Sequence, residues 1–214
     1  MDKDTFIKAL WETIYMCGWS MLFIILIGFV VGIILFNSSL SGMRPNKHIY
    51  SLTSFIVNVF RAVPFAVLIV LLIPVTKQLV GTMIGTKAVL PSLIASGIPF
   101  FARTVESTFK EVDSGLIDAG HSMGASKTQI LFRIIFRESL PALVDTATLT
   151  TISIIGYTSM AGLIGGGGLG YIAIQYGIYR NNMPGALIAT AMILVLVFVV
   201  QEFGNYFSKK LNRK

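Results

Sequence analysis

The chain has 214 residues, 54% of them apolar and 13% charged, with a mean hydropathy of +0.77. Soluble domains carry about 25% charged residues, so a water-soluble globule is excluded and the soluble-enzyme classes go with it. The net charge of +7 lies between and after long apolar runs, where basic residues set membrane orientation; no basic stripe interleaves with aromatics as nucleic-acid binding requires, so no nucleic acid is expected as a partner.

In chain order, Met1–Lys8 mixes Asp2 and Asp4 with Lys3 and Lys8. The apolar run after it is too long for the core of a cleavable signal. Residues 13–43 carry no charge and hold the lone Cys17; they predict a first span near 14–36. A helix needs about 20 residues to cross ~30 Å of hydrocarbon. The neutral runs 62–76 and 88–102 are shorter than that and span only by taking in Arg61 and Arg103 near one end, where long side chains snorkel. Spans near 52–76 and 87–107 follow. Glu106 lies three residues after Arg103, so the two are expected to pair on one helix face. Uncharged runs 146–179 and 181–201 predict spans near 143–164 and 184–206. The Gly165–Gly168 run after the fourth span reads as a turn rather than a channel filter.

Five spans put the termini on opposite sides. Arg44, Lys47, Lys110, Lys127, Arg133, Arg137, Lys209, Lys210, Arg213 and Lys214 fall on one side, against Lys3, Lys8, Lys77, Lys87 and Arg180 on the other. The positive-inside rule then places the N-terminus outside and the C-terminus in the cytoplasm. No Cys/His cluster has zinc spacing. Apart from Arg61 in the span near 52–76, the inner thirds of the five spans hold no charged residue, which argues against an ion-coupled secondary transporter.

The stretch 108–142 is the longest polar connection and predicts two short helices. Asp113 or Ser114 caps the first, whose Leu116, Ile117 and Met123 sit on a helical period, and Gly124 is its C′ stop. Ser126 and Gln129 form an S-x-x-Q capping box for the second. Pro141 is expected to close that helix before the fourth span begins. Small residues at the bend (Ala119, Gly120 and Ala125) suit docking against another protein, and close approach at Gly124 would be lost with a bulky side chain there.

Asp118-Ala119-Gly120, three residues, then Gly124-Ala125-Ser126 resembles the E-A-A-x-x-x-G loop of permease subunits of binding-protein-dependent ABC importers. Asp118 stands for the usual Glu, Gly120 for the second Ala, and Ile134-Ile135-Phe136-Arg137 for the usual I-x-L-P, while the later proline is kept as Pro141. Segments 58–65, 73–76, 80–85, 99–106, 156–161, 166–170 and 175–177 are similar to the methionine-uptake permeases of that family. The resemblance implies an all-α integral membrane protein with the ABC type I importer permease fold, forming a single permease domain over 1–214 in a bacterial inner membrane. It implies assembly of two copies of the chain with two cytoplasmic ATPase subunits and an extracytoplasmic substrate-binding lipoprotein.

By the same resemblance, Asp118, Ala119, Gly120, Gly124, Ala125, Ser126 and Pro141 would couple to the ATPase, and Met160 with Tyr157 would narrow the pore. The chain has no G-x-x-x-x-G-K-[ST] loop to cradle phosphates. Mg–ATP would therefore sit on the partner, with no catalytic, metal or cofactor site here. The cargo would be an amino acid, most readily L- or D-methionine, by alternating access. The rival readings are a secondary transporter and the same machine with another amino acid.

Overall fold

The computed structural model describes residues 3–212, so Arg213 and Lys214 of the basic tail lie outside it. Every regular element among the described residues is helical. Helix α1 (Lys3–Ser38) is 36 residues long, about 54 Å at 1.5 Å per residue, and extends the apolar run by a polar N-terminal turn and a half or more. Asn46 caps α2 (Lys47–Ala62) by accepting from the His48 and Ile49 amides at 3.1 Å each.

The single helix expected over 52–76 is interrupted. Pro64 supplies no amide hydrogen and pushes Val63 to φ −78°, ψ 120°. Helix α2 therefore stops and α3 (Phe65–Leu71) leaves at 104° to it. A second break at Leu72 begins α4 (Ile73–Val80), with Pro74 in its first turn and Gly81 in the left-handed region at φ +77°. Helix α5 (Thr86–Lys110) contains Pro91 and Pro99 and continues through both.

Helix α6 (Ser114–Ser122) and the short α7 (Lys127–Gln129) make up the polar connection. The second helix does not stop at Pro141. It passes through a π-helical stretch, Ile130–Ile135, into α8 (Phe136–Ala161) and a 3-10 turn, Gly162–Ile164. Ile135, Ser139 and Leu143 hold one face of this helix in the interior across the proline, so loss of one backbone bond does not end it. Gly165, Gly167 and Gly168, at φ +81°, +79° and +80°, then turn the chain as expected. Helix α9 (Gly168–Ile174), a π turn (Gln175–Tyr179) and α10 (Met183–Leu211) complete the fold.

Helices α1 and α5 form the centre. A Cβ added at Gly28 would meet Phe101 at 3.0 Å, and one at Gly32 would meet Val105 at 2.7 Å, while Gly97 abuts Ile24. These contacts advance together along both helices, so α1 and α5 run parallel and the chain must recross the bundle between them. Helices α2, α3 and α4 make that return, α2 lying antiparallel to α5 with Ser54 and Asn58 at Arg103 and Tyr50 at Lys110. Helix α8 runs antiparallel to α5, with Ile154 against Gly97 and Gly166 against Val89. Helix α10 then descends along α8, with Gly204 against Thr148 and the Ser208 hydroxyl donating to the Pro141 carbonyl at 3.3 Å.

The start of α1 and the end of α10 thus lie at opposite ends of the bundle. The helical stretches Lys3–Ser38, Thr86–Lys110, Lys127–Ile164 and Met183–Leu211 are long and apolar enough to cross a membrane, and the pair α2–α3 is a fifth candidate when its two bent helices are taken together.

Candidate functional site

The polar connection is built by three local devices. Asp113 caps α6 by accepting from the Gly115 amide at 2.9 Å. At the far end of α6 the Ala125 amide donates to the Gly120 carbonyl at 3.0 Å and the Gly124 amide to the His121 carbonyl at 2.9 Å. That pair of bonds is a Schellman motif, with Gly124 at C′ in the left-handed region at φ +76°. The capping box then starts α7: the Ser126 amide donates to Gln129 Oε1 at 2.8 Å, and the Gln129 amide to Ser126 Oγ at 3.3 Å. Met123, Gly124, Ala125 and Ser126 each donate a backbone amide hydrogen bond, so the bend is held at every residue.

Of the loop residues singled out from the sequence, Asp118, Ala119, Gly124 and Ser126 are exposed, Ala125 is half-buried and Gly120 is buried. Gly120 explains its departure from the family's second Ala: a Cβ there would lie 2.6 Å from Ile134 Cδ1 and 3.3 Å from Ile130 Cγ1. The glycine lets α6 lie directly on the π-helical stretch. Nothing of this chain lies within 4 Å of the place a Cβ at Gly124 would take, so within the chain its requirement is conformational. Pro141 sits about four helical turns beyond the bend, inside α8, on the wall of a cavity of about 810 Å³ with Arg133 and Arg137.

Of Leu116, Ile117 and Met123, which share a helical period in the sequence, only Ile117 packs against the core. Met123 is 79% exposed on the tip of the bend. The exposed ridge from Asp118 to Gln129 thus offers one flexible apolar knob among polar side chains, a form suited to a groove on another protein.

Tyr157 and Met160 share α8 but not an environment. Tyr157 stacks on Phe65 of α3, with ring centroids 4.7 Å apart and planes at 10°. Met160 is 50% exposed and projects from the bundle. It lies on an uncovered stripe with Asp145, Leu149 and Gly156, spaced at four, seven and four residues. Beside that stripe, the hydroxyls of Thr148, Thr151 and Ser153 donate to carbonyls four residues earlier at 2.8, 2.8 and 2.9 Å, so these three polar side chains are paired within α8.

The Arg103–Glu106 pair is present at 2.7 Å, and it is one edge of a larger network not visible in the sequence. Glu106, 1% exposed, also takes Lys110 at 2.6 Å, and Arg103 donates to Ser54 Oγ at 2.7 Å and Asn58 Oδ1 at 2.9 Å. The broken helix α2 is thereby fastened to α5. Among the described residues no three His, Cys, Asp or Glu side chains converge as a metal site.

Residues 28–213 match the family of binding-protein-dependent transport system inner membrane components. The chain belongs to that family. It is therefore a membrane-spanning transport subunit, not an enzyme. A methionine import system permease of Bacillus subtilis is 42% identical over 214 residues, covering 100% of this chain and 96% of its own. A probable D-methionine transport system permease of Vibrio cholerae is 36% identical over 214 residues, covering 100% and 95%. An inward-facing MetNI methionine ABC transporter structure superposes with a TM-score of 0.96 at 36% identity over 100% of both chains. A permease of an amino acid ABC transporter, at 19% identity and a TM-score of 0.80 over 97% of this chain, shares the fold. With them, the permease fold expected from the resemblance is found over the whole chain.

Proposed function

We propose that this chain is the permease of an ATP-driven methionine importer, working as two copies with two cytoplasmic ATPase subunits and an extracytoplasmic substrate-binding protein. The observation that carries this reading is the end-to-end likeness to methionine permeases in sequence and in backbone. Mg–ATP is bound and hydrolysed on the ATPase subunits. The ridge Asp118–Gln129 seats in the ATPase, where the Schellman bend and capping box make it stiff enough to pass a rigid-body push to α5 and α8. Pro141 lies where α8 leaves that ridge and enters the bundle.

Tyr157 and Met160 narrow the path on α8, Tyr157 braced from behind by Phe65 and Met160 free to swing. The thioether suits an apolar constriction that must open and reseal. The C-terminal end of α10 faces the cytoplasm, and the N-terminal end of α1 faces outward.

Labelled L-methionine and D-methionine uptake, in cells expressing the chain with its ATPase and binding protein, tests the reading. Uptake should disappear when the ATPase cannot hydrolyse ATP and persist when the proton gradient is collapsed with ATP maintained. Uptake that follows the proton gradient instead would place the chain among ion-coupled carriers. ATP-driven transport of another amino acid, with no methionine carried, would overturn the cargo alone.

A further inference from the structure

Where the chain enters the bundle after the polar connection, a cavity of about 810 Å³ opens between the start of α8 and the end of α10. Its walls are divided in kind. Ile134, Leu140, Pro141 and Leu211 make it apolar, while Arg133 and Arg137 bring two exposed guanidiniums to it. Glu138 is the one acid of the lining and already makes an interaction within the chain. Neither arginine has an ion-pair partner among the described residues, whose two salt bridges both belong to Glu106. Among the described residues the cavity thus joins two guanidiniums without an ion-pair partner to an apolar wall, with Glu138 the one acid in its lining.

Its level in the bundle decides what it can take. The charge-free run of α8 begins after Asp145 and that of α10 ends before Glu202, so the cavity, walled by Arg133, Arg137, Pro141 and Leu211, lies just outside those runs on their polar side. Exposed aromatic side chains lie on the same two stretches of chain: Phe132 on the π-helical stretch and Phe203, Tyr206 and Phe207 on the last turns of α10. Aromatic residues concentrate where a protein meets headgroups, so this end of α8 and α10 sits at a membrane surface. A ligand fitting the site needs a negative headgroup for the guanidiniums, which suit phosphate oxygens, and an acyl chain for the apolar wall.

We propose that the cavity holds one anionic phospholipid, its phosphate bridging Arg133 and Arg137 and its acyl chain lying along Leu140 and Leu211. A lipid seated there would tie the base of the α6–α8 bend to the end of α10. The proposal rests on the membrane placement in the reading above and not on its cargo, so a failed methionine assay leaves it standing.

The test uses the permease–ATPase complex purified from membranes and reconstituted in bilayers mixing phosphatidylglycerol with phosphatidylcholine, with bound lipid counted by native mass spectrometry. The intact complex should retain about one more phosphatidylglycerol per permease copy than the R133Q/R137Q variant, whose retention should be roughly thirtyfold weaker at low salt, since each basic residue near a headgroup surface is worth about a factor of five. Phosphatidylcholine retention should not change. A K209Q/K210Q variant, losing the same charge on the neighbouring turn, should keep the lipid. If it loses as much as R133Q/R137Q, the binding is diffuse surface attraction and the site is wrong. Ala142→Trp keeps both charges and fills the cavity; it should also lose the lipid, and it serves if the double variant is not recovered intact. Equal phosphatidylglycerol counts in every variant, or lipid kept while R133Q/R137Q sheds the ATPase, overturns the proposal and, in the second case, makes the cavity a protein contact.

Discussion

At Gly124 one torsion angle carries the bend on which the ridge depends. Its φ of +76° with empty space around the missing Cβ separates two causes usually found together. A side chain there meets no neighbour in this chain, so the cost of substitution is that of holding an L-residue in the left-handed region, about 1–2 kcal/mol. Asn tolerates that region and a β-branched residue does not. Gly124→Asn should therefore keep roughly half or more of wild-type uptake, while Gly124→Val should lose most of it, with both proteins present in the membrane at normal level. Uptake per membrane-inserted permease, measured for the pair, checks this. Equal loss in both variants would point to a partner surface closing on Gly124, as the loop's smallness first implied.

Among the elements, the α1–α5 pair shows how a membrane protein brings two helices together without a hydrophobic drive between them. Gly28 and Gly32, one helical turn apart, let α1 descend onto Phe101, Ala102 and Val105 until backbone nearly meets backbone, with 2.9 Å from a Cβ at Gly32 to the Ala102 carbonyl. Gly32→Leu should force the pair apart and cost about 1–3 kcal/mol. Gly18, on the same helix with nothing within 4 Å, should accept Leu at little cost. The detergent-solubilised complex should melt several degrees lower for the first variant and near wild type for the second. This small-residue spacing stood in the sequence but could not be assigned to a contact inside the chain rather than between chains, because spacing names a face and not its partner. The caps of α6 and α7 were legible for the opposite reason: Asp113, Gly124, Ser126 and Gln129 act within four residues of themselves. The 104° turn at Pro64 was half legible, since proline announces a break but only Phe65 on Tyr157 sets the direction. The passage of α8 through Pro141 was not legible at all, as it is decided by burial of residues on either side.

For the molecule as a whole, the alternation of helix directions leaves two ends with unlike charge. The end where α5 meets α6 and α10 finishes carries Lys110, Lys127, Arg133, Arg137, Lys209 and Lys210, together with Arg44 and Lys47 between α1 and α2. The end where α9 folds onto α1 carries Lys3, Lys8, Lys77, Lys87 and Arg180. That second end is closed by two side chains of α1: Glu12 accepts from the Gly168 amide at 2.8 Å and Thr13 from the Leu169 amide at 2.9 Å, fixing the glycine turn to α1. The more basic end should face the cytoplasm. A direct measurement is open because the chain has a single cysteine, Cys17, buried in the core, which Ala can replace. In a Cys17→Ala background, Thr82→Cys lies in the exposed connection before α5, and Thr128→Cys lies on the exposed ridge. A membrane-impermeant maleimide added to intact cells should label the first and spare the second until the membrane is opened. The reverse pattern would turn the permease over, and with it the ridge would face away from any ATPase. The coupling assignment therefore stands or falls on the same labelling, since only a cytoplasmic ridge can receive the work of ATP hydrolysis.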